Sequence, residues 1–191
     1  MKKLLVPSML LLSLSLIFYA GCGGDTPESL AKNHIETANS AVRVKDFKTA
    51  IEEYKTAIEI DPGNALAHYD LAYLLETEFK NYEEAIIHYR MALEHSPDQY
   101  RFLYKSIAKI YYDQEKYDDA LLAYRKAVAI LPNDSLAHND YGAVLIKKGM
   151  IKEAIEEFEK AIKIDPSDET PQKNRDKAYV LLNESHEEKK E

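Results

Sequence analysis

Ala50-Ile51-Glu52-Glu53-Tyr54-Lys55-Thr56-Ala57 decides the fold, because its frame of alanine, an aromatic four residues on, and alanine three later returns three more times. The copies are Ala85-Tyr89-Ala92, Ala120-Tyr124-Ala127 and Ala154-Phe158-Ala161, spaced by 35, 35 and 34 residues. Five residues after each copy stands a proline: Pro62, Pro97, Pro132 and Pro166. Residues three and four apart share one helix face, so the alanines admit a neighbouring helix closely while the ring fills the space between them. Phe47, Tyr82, Tyr117 and Ile151, three before the first alanine, extend the apolar stripe. The proline then ends the helix.

Upstream of each stripe lies a first helix with its own pattern. Its inner residues are His34, Thr37, Ala38, Ala41; His68, Leu71, Ala72, Leu75; Tyr104, Ile107, Ala108, Tyr111; and His138, Tyr141, Gly142, Leu145. The small residue in the third slot marks where the two helices of a hairpin cross. A period of this length with these residues indicates stacked helical hairpins, an architecture that forms surfaces for other proteins.

These features resemble the tetratricopeptide repeat, with its small residue in helix A, alanines and aromatic in helix B, and closing proline. The resemblance covers roughly residues 30–166 and implies an all-α, right-handed superhelical solenoid of helix-turn-helix hairpins. Repeats are expected at about 31–64, 65–98, 101–134 and 135–168. The usual Trp near the start of helix A is His or Tyr here. Copies two and three each carry one extra residue, placed by phase in the turn Glu78 to Asn81 and in the loop Asp98 to Tyr100. Turns absorb insertions cheaply.

The N-terminus carries a second signal. Lys2 and Lys3 precede an apolar run from Leu4 to Ala20, as in a secretory signal peptide over 1–21. The run ends in Ala20-Gly21-Cys22, which resembles a bacterial lipobox with Tyr19 where Leu is usual. That resemblance implies cleavage before Cys22 and acylation (palmitate) of its thiol, the only cysteine in the chain. An ordinary signal peptide or a membrane-spanning anchor is the alternative. Residues 22–30 would form a flexible tether. Gly23, in place of the Asp that marks inner-membrane retention in some bacteria, favours the periplasmic side of an outer membrane.

Removal of residues 1–21 leaves 23 basic against 33 acidic residues, a net charge of −10. Such a chain is not built for nucleic acid or an anionic lipid surface. After Pro166, residues 168–183 read as a capping helix, with Ala178, Tyr179, Leu181 and Leu182 for packing and Asn174 to Lys177 facing out. A charged tail over 184–191 follows. His34, His68 and His138 hold one slot in three repeats, so stacking separates them, and no metal or cofactor is expected. His88 and His95 lie seven apart on one helix B, too far for one-turn chelation. The in-phase acidic pairs, such as Glu52-Glu53 and Glu156-Glu157, read as a solvated face. No Gly-rich phosphate loop, nucleophile elbow or Cys/His constellation marks a catalytic centre, so an enzyme is not expected.

Transferred by phase, the resemblance places Asn39, Tyr69, Tyr73, Phe102, Lys105, Lys109, Tyr112 and Asn139 on the concave face, as a groove for a protein or peptide partner. The aromatics are residue types over-represented at binding hot spots. Lys105 and Lys109 are candidates to meet an acidic group. Asn39 matches one position of the family's two-carboxylate clamp, but Ile35, Asp70, Phe102 and Ser106 hold the others, which disfavours a chaperone-tail adaptor. The resulting expectation is a lipid-anchored, extracytoplasmic scaffold for envelope assembly, by analogy with lipoproteins that help build pili, secretin rings or outer-membrane proteins. The alternatives are a self-associating coat and a binding accessory to an envelope hydrolase.

Overall fold

The computed structural model describes residues 26–187, so the signal segment, Cys22 and the last four residues lie outside it. The described residues are organised as α-helices without strands. They fall into two compact units that meet at Pro62–Gly63.

The first unit is one hairpin, α1 (Pro27–Arg43) and α2 (Phe47–Ile60). Helix α1 begins inside the segment expected as tether. Thr26 caps it by accepting from the Ser29 amide at 3.1 Å, with Pro27 in the first turn, so the start signal is complete four residues before 31. Ala31, Ile35, Ala38 and Ala41 of α1 are buried with Ala50, Tyr54 and Ala57 of α2.

The second unit holds three hairpins and a final helix. They are α3 (Ala65–Thr77) with α4 (Tyr82–His95), then α5 (Pro97–Tyr100), α6 (Leu103–Asp113) and α7 (Tyr117–Ile130). Next come α8 (Ser135–Lys147) with α9 (Ile151–Ile164), and finally α10 (Glu169–Glu187). Each alanine of the repeated frame is fully buried, and Tyr89, Tyr124 and Phe158 are at most 1% exposed.

The inner turns share one device. Lys45, Lys80, Glu115 and Gly149 have φ of 61°, 53°, 58° and 72°. A left-handed residue after helix A lets the following amide reach back to the helix's last turn, as in Asp46 N–H to Ala41 O at 2.9 Å and Met150 N–H to Leu145 O at 2.9 Å. The turn between α3 and α4 spans 78–81 and is one residue longer than the others, where the insertion was expected. The second insertion is not a loop. Pro97–Tyr100 winds a helical turn, and Tyr100 is buried. Elsewhere Asn64 and Asp134 cap the next helix A, whereas Phe102 precedes α6 without a side-chain cap.

Helix α10 covers the end of the array and continues past 183 into the segment expected as tail. Pro171, Asn174, Ala178 and Leu182 follow one another at helical spacing. Ala178 is fully buried against Leu145, Ala154, Ile155 and Phe158, with Leu182 packed beside them. Tyr179 and Leu181, expected to pack, are exposed, because they fall off that stripe. Asn174, expected outside, turns inward and donates to Asn139 at 2.9 Å.

Candidate functional site

The helix-A faces of α3 and α6 gather an aromatic cluster. Tyr69 lies with its ring centroid 6.3 Å from Tyr73, 6.1 Å from Tyr89, 5.2 Å from Tyr100 and 5.9 Å edge-on from Phe102. Its interior is Tyr89 and Tyr100, whose burial pushes both phenols above their ordinary range. The Tyr89 hydroxyl donates to Glu76 at 2.6 Å, which reinforces the shift. Its surface is Tyr73, 54% exposed, and Phe102, 42% exposed. The buried rings form a packed base against which the exposed rings stand. The phasing carried over from the resemblance placed Tyr69, Tyr73 and Phe102 on one face, and the structure brings their rings together, but it left Tyr100 in a loop. Its signal was the Pro97 start of an extra helical turn, which aims Tyr100 inward.

Beyond the aromatics the face is polar and largely self-satisfied. Lys105 meets Asp134 at 2.7 Å and Lys109 meets Asp113 at 2.6 Å, so each cation put forward to meet a partner's acid already faces a carboxylate of this chain. Burial would raise the Asp134 carboxyl, but Lys105 and the Ala137 amide hold it below its ordinary range. The Asp113 carboxylate raises Lys109. Asp140 lies deeper and is pushed up by burial, against the hydrogen bond from Asn139 and the charges of Lys105 and Lys109. Tyr112 stands edge-on to Tyr117 at 5.7 Å and lines a small recess with Tyr124 and Asp140.

Asn139 requires a correction. It is 7% exposed and engaged by Asn174 of α10 and by Asp140, so the capping helix withdraws it from any groove. Asn39 belongs to the first unit, where its Oδ1 accepts from the Tyr54 hydroxyl at 2.6 Å.

The histidines of the repeated slot bind within their own hairpins. His34 Nδ1 meets Glu53 Oε2, and His138 Nδ1 meets Glu157 Oε2, each at 2.6 Å. In the second hairpin a histidine stands where the glutamate would be, and His68 Nδ1 lies 2.8 Å from His88 Nδ1. His95 stacks on His68 at 6.3 Å, so the hairpin gathers His68, His88 and His95, a grouping the sequence reading did not make. No set of three or more His, Cys, Asp or Glu side chains is arranged to hold a metal among the described residues. No helix among them is long and apolar enough to cross a membrane.

A second concavity lies away from the aromatic cluster. Arg90, Leu93 and Glu94 of α4, Tyr104, Ile107 and Tyr111 of α6, and Asp119, Leu122, Ala123 and Lys126 of α7 line a cleft of about 480 Å³. The sequence reading did not find it.

Paired helices with a buried alanine–aromatic frame, in an array of hairpins, define a helical-repeat protein. The chain belongs to the tetratricopeptide-repeat family, whose model matches residues 35–100 and 106–169. The fold is one of protein–protein interaction scaffolds. No curated protein matches the chain in sequence. Among solved structures it is similar to YrrB, described as a TPR protein with an unusual peptide-binding site, at 25% identity and a TM-score of 0.67, over 80% of this chain and 78% of that one. It also resembles PilF of Pseudomonas aeruginosa at 21% identity and a TM-score of 0.62, over 84% of this chain and 72% of that one. A third is MamA of Desulfovibrio magneticus RS-1, at 17% identity and a TM-score of 0.62, over 87% and 96%.

Proposed function

We propose that this protein is a lipid-anchored scaffold on the extracytoplasmic side of a bacterial membrane, holding an extended or helical segment of a partner during assembly of an envelope complex. The observation that carries the binding reading is the exposed pair Tyr73 and Phe102 above the buried Tyr89 and Tyr100. Exposed rings on a pre-packed base offer large contact area at low entropic cost, which suits an apolar or aromatic anchor from the partner. The description of YrrB as a peptide-binding member supports the same class of ligand. The anchor rests on Cys22 and the apolar segment before it.

The test is crosslinking and mass spectrometry from native membranes, comparing wild type with a Tyr73→Ala, Phe102→Ala variant. Both rings are substantially exposed, so the variant should keep its helical circular dichroism. A heterologous partner captured by wild type and lost in the folded variant is the expected result. Partners that survive unchanged refute the helix-A face as the site. Self-association is a second reading, favoured by the exposed Tyr179, Val180 and Leu181 on α10. Mass that rises with concentration, and falls back in Val180→Lys, would support it.

A further inference from the structure

The four hairpins solve one packing problem in different ways. The residue before the helix-B aromatic faces the first inner residue of helix A. In hairpins one and four these are Glu53 with His34 and Glu157 with His138, and in hairpin two His88 with His68. Each pair is closed by a hydrogen-bond contact of 2.6 to 2.8 Å. In hairpin three the same positions hold Ala123 and Tyr104. Alanine has no carboxylate to offer, and the slot becomes part of the 480 Å³ cleft.

A cation holds the position that neighbours this carboxylate in hairpin four. In hairpin four Lys160 Nζ meets Glu157 Oε1 at 2.7 Å, while the other oxygen takes His138. Lys126 holds the position equivalent to Lys160 but has no such acid, and its Nζ rests 4.7 Å above the Tyr104 ring. Across the cleft, Arg90 spends its guanidinium on the Tyr111 hydroxyl at 3.2 Å. Neither cation pairs with a carboxylate among the described residues.

We propose that this cleft is a second docking site, whose occupant is a partner-protein segment presenting one side-chain carboxylate beside apolar residues. The carboxylate takes the place of the one missing at Ala123, where Lys126 and the Tyr104 edge receive it. Leu93, Ile107 and Leu122 take its apolar neighbours, Leu122 being 56% exposed in the absence of a partner. The volume lies within the range of side-chain and ligand sites, roughly 300–1,000 Å³. Asp119, two turns from Lys126 on α7, and Glu94, a turn beyond Arg90 on α4, also line the cleft. They repel a second acid, so a polyacidic segment is disfavoured and a single carboxylate is selected.

The repeat supplies its own test. Ala123→Glu places the carboxylate in cis, three residues before Lys126, as Glu157 stands before Lys160, and should close the cleft. Dodecapeptides displayed on phage would be selected on the full chain, then resynthesised with amidated C-termini and titrated by fluorescence anisotropy. We expect enrichment of a single Asp or Glu next to Leu, Ile or Phe. Binding should weaken about tenfold or more in Ala123→Glu, in Lys126→Met and when the peptide acid becomes its amide, equivalent to about 1.4 kcal/mol. Tyr73→Ala should leave it unchanged. Selection of no peptide, selection without acidic enrichment, or affinity unchanged in Ala123→Glu and Lys126→Met overturns the proposal. Loss in Tyr73→Ala alone moves those peptides to the helix-A face. If Ala123→Glu loses its helical signal, Lys126→Met decides.

Discussion

Gly142→Ala is the most discriminating change to the packing argument, since the other three hairpins already carry alanine at this crossing: Ala38, Ala72 and Ala108. A Cβ at Gly142 would stand 2.5, 2.8 and 2.9 Å from three carbons of the Phe158 ring. The ring would have to retreat by roughly 1 Å to regain ordinary carbon–carbon separation. Phe158 is 1% exposed and enclosed by Leu145, Ala154, Ile155 and Ala178, so no free volume awaits it. Overpacking of this kind costs about 1–3 kcal/mol. The better helix propensity of alanine returns about 0.8–1.0 kcal/mol. A net loss of about 1 kcal/mol is expected, lowering Tm by roughly 2–4 °C. The assay is urea and thermal unfolding by circular dichroism, repeated in a Phe158→Leu background. There the ring is gone, and Gly142→Ala should change sign and stabilise, giving a coupling above about 1 kcal/mol. A neutral or stabilising effect in wild type, or the same effect in both backgrounds, would refute the claim that the ring needs the missing Cβ.

Other outcomes follow from the same contacts. Tyr89→Phe removes the hydrogen bond to Glu76 and should cost about 1 kcal/mol in urea unfolding, while the ring still fills its site. Burial opposes ionisation of Glu157, but His138 and Lys160 outweigh it and hold its carboxyl below the ordinary value. That stability is present above the unfolded carboxyl's pKa near 4.5 and is lost as pH falls through the lower folded value. Glu157→Gln should therefore flatten the acid limb of Tm against pH. Glu115→Gly relieves a left-handed residue and should raise stability by up to about 1 kcal/mol, and a decrease in Cm would contradict the strain assigned to that turn. Ala178→Asp places a carboxylate in the packed seam of α10 and should lower Tm by several degrees and increase binding of a hydrophobic dye.

The sequence by itself determined the hairpins. Alanine, aromatic and proline recur in phase because only small residues at a crossing let two helices close on a ring, and that constraint is local to each hairpin. The family resemblance, carried over by phase, also placed Tyr69, Tyr73 and Phe102 on one face, where the structure clusters their rings. Phase does not report what lies across from a residue. Asn139 reads as groove until Asn174, thirty-five residues later, turns back onto it. Lys105 and Lys109 read as candidates for a partner's acid, and the string does not show Asp134 and Asp113 beside them. Tyr100 reads as loop until an extra helical turn buries it. The cleft at Ala123 is the sharpest case. An alanine among alanines carries no signal in the string, and its meaning appears only where the equivalent Glu157 is seen holding His138 and Lys160. Periodicity encodes which residues point the same way, whereas partners distant in the chain are chosen by packing, and only the tertiary structure supplies that choice.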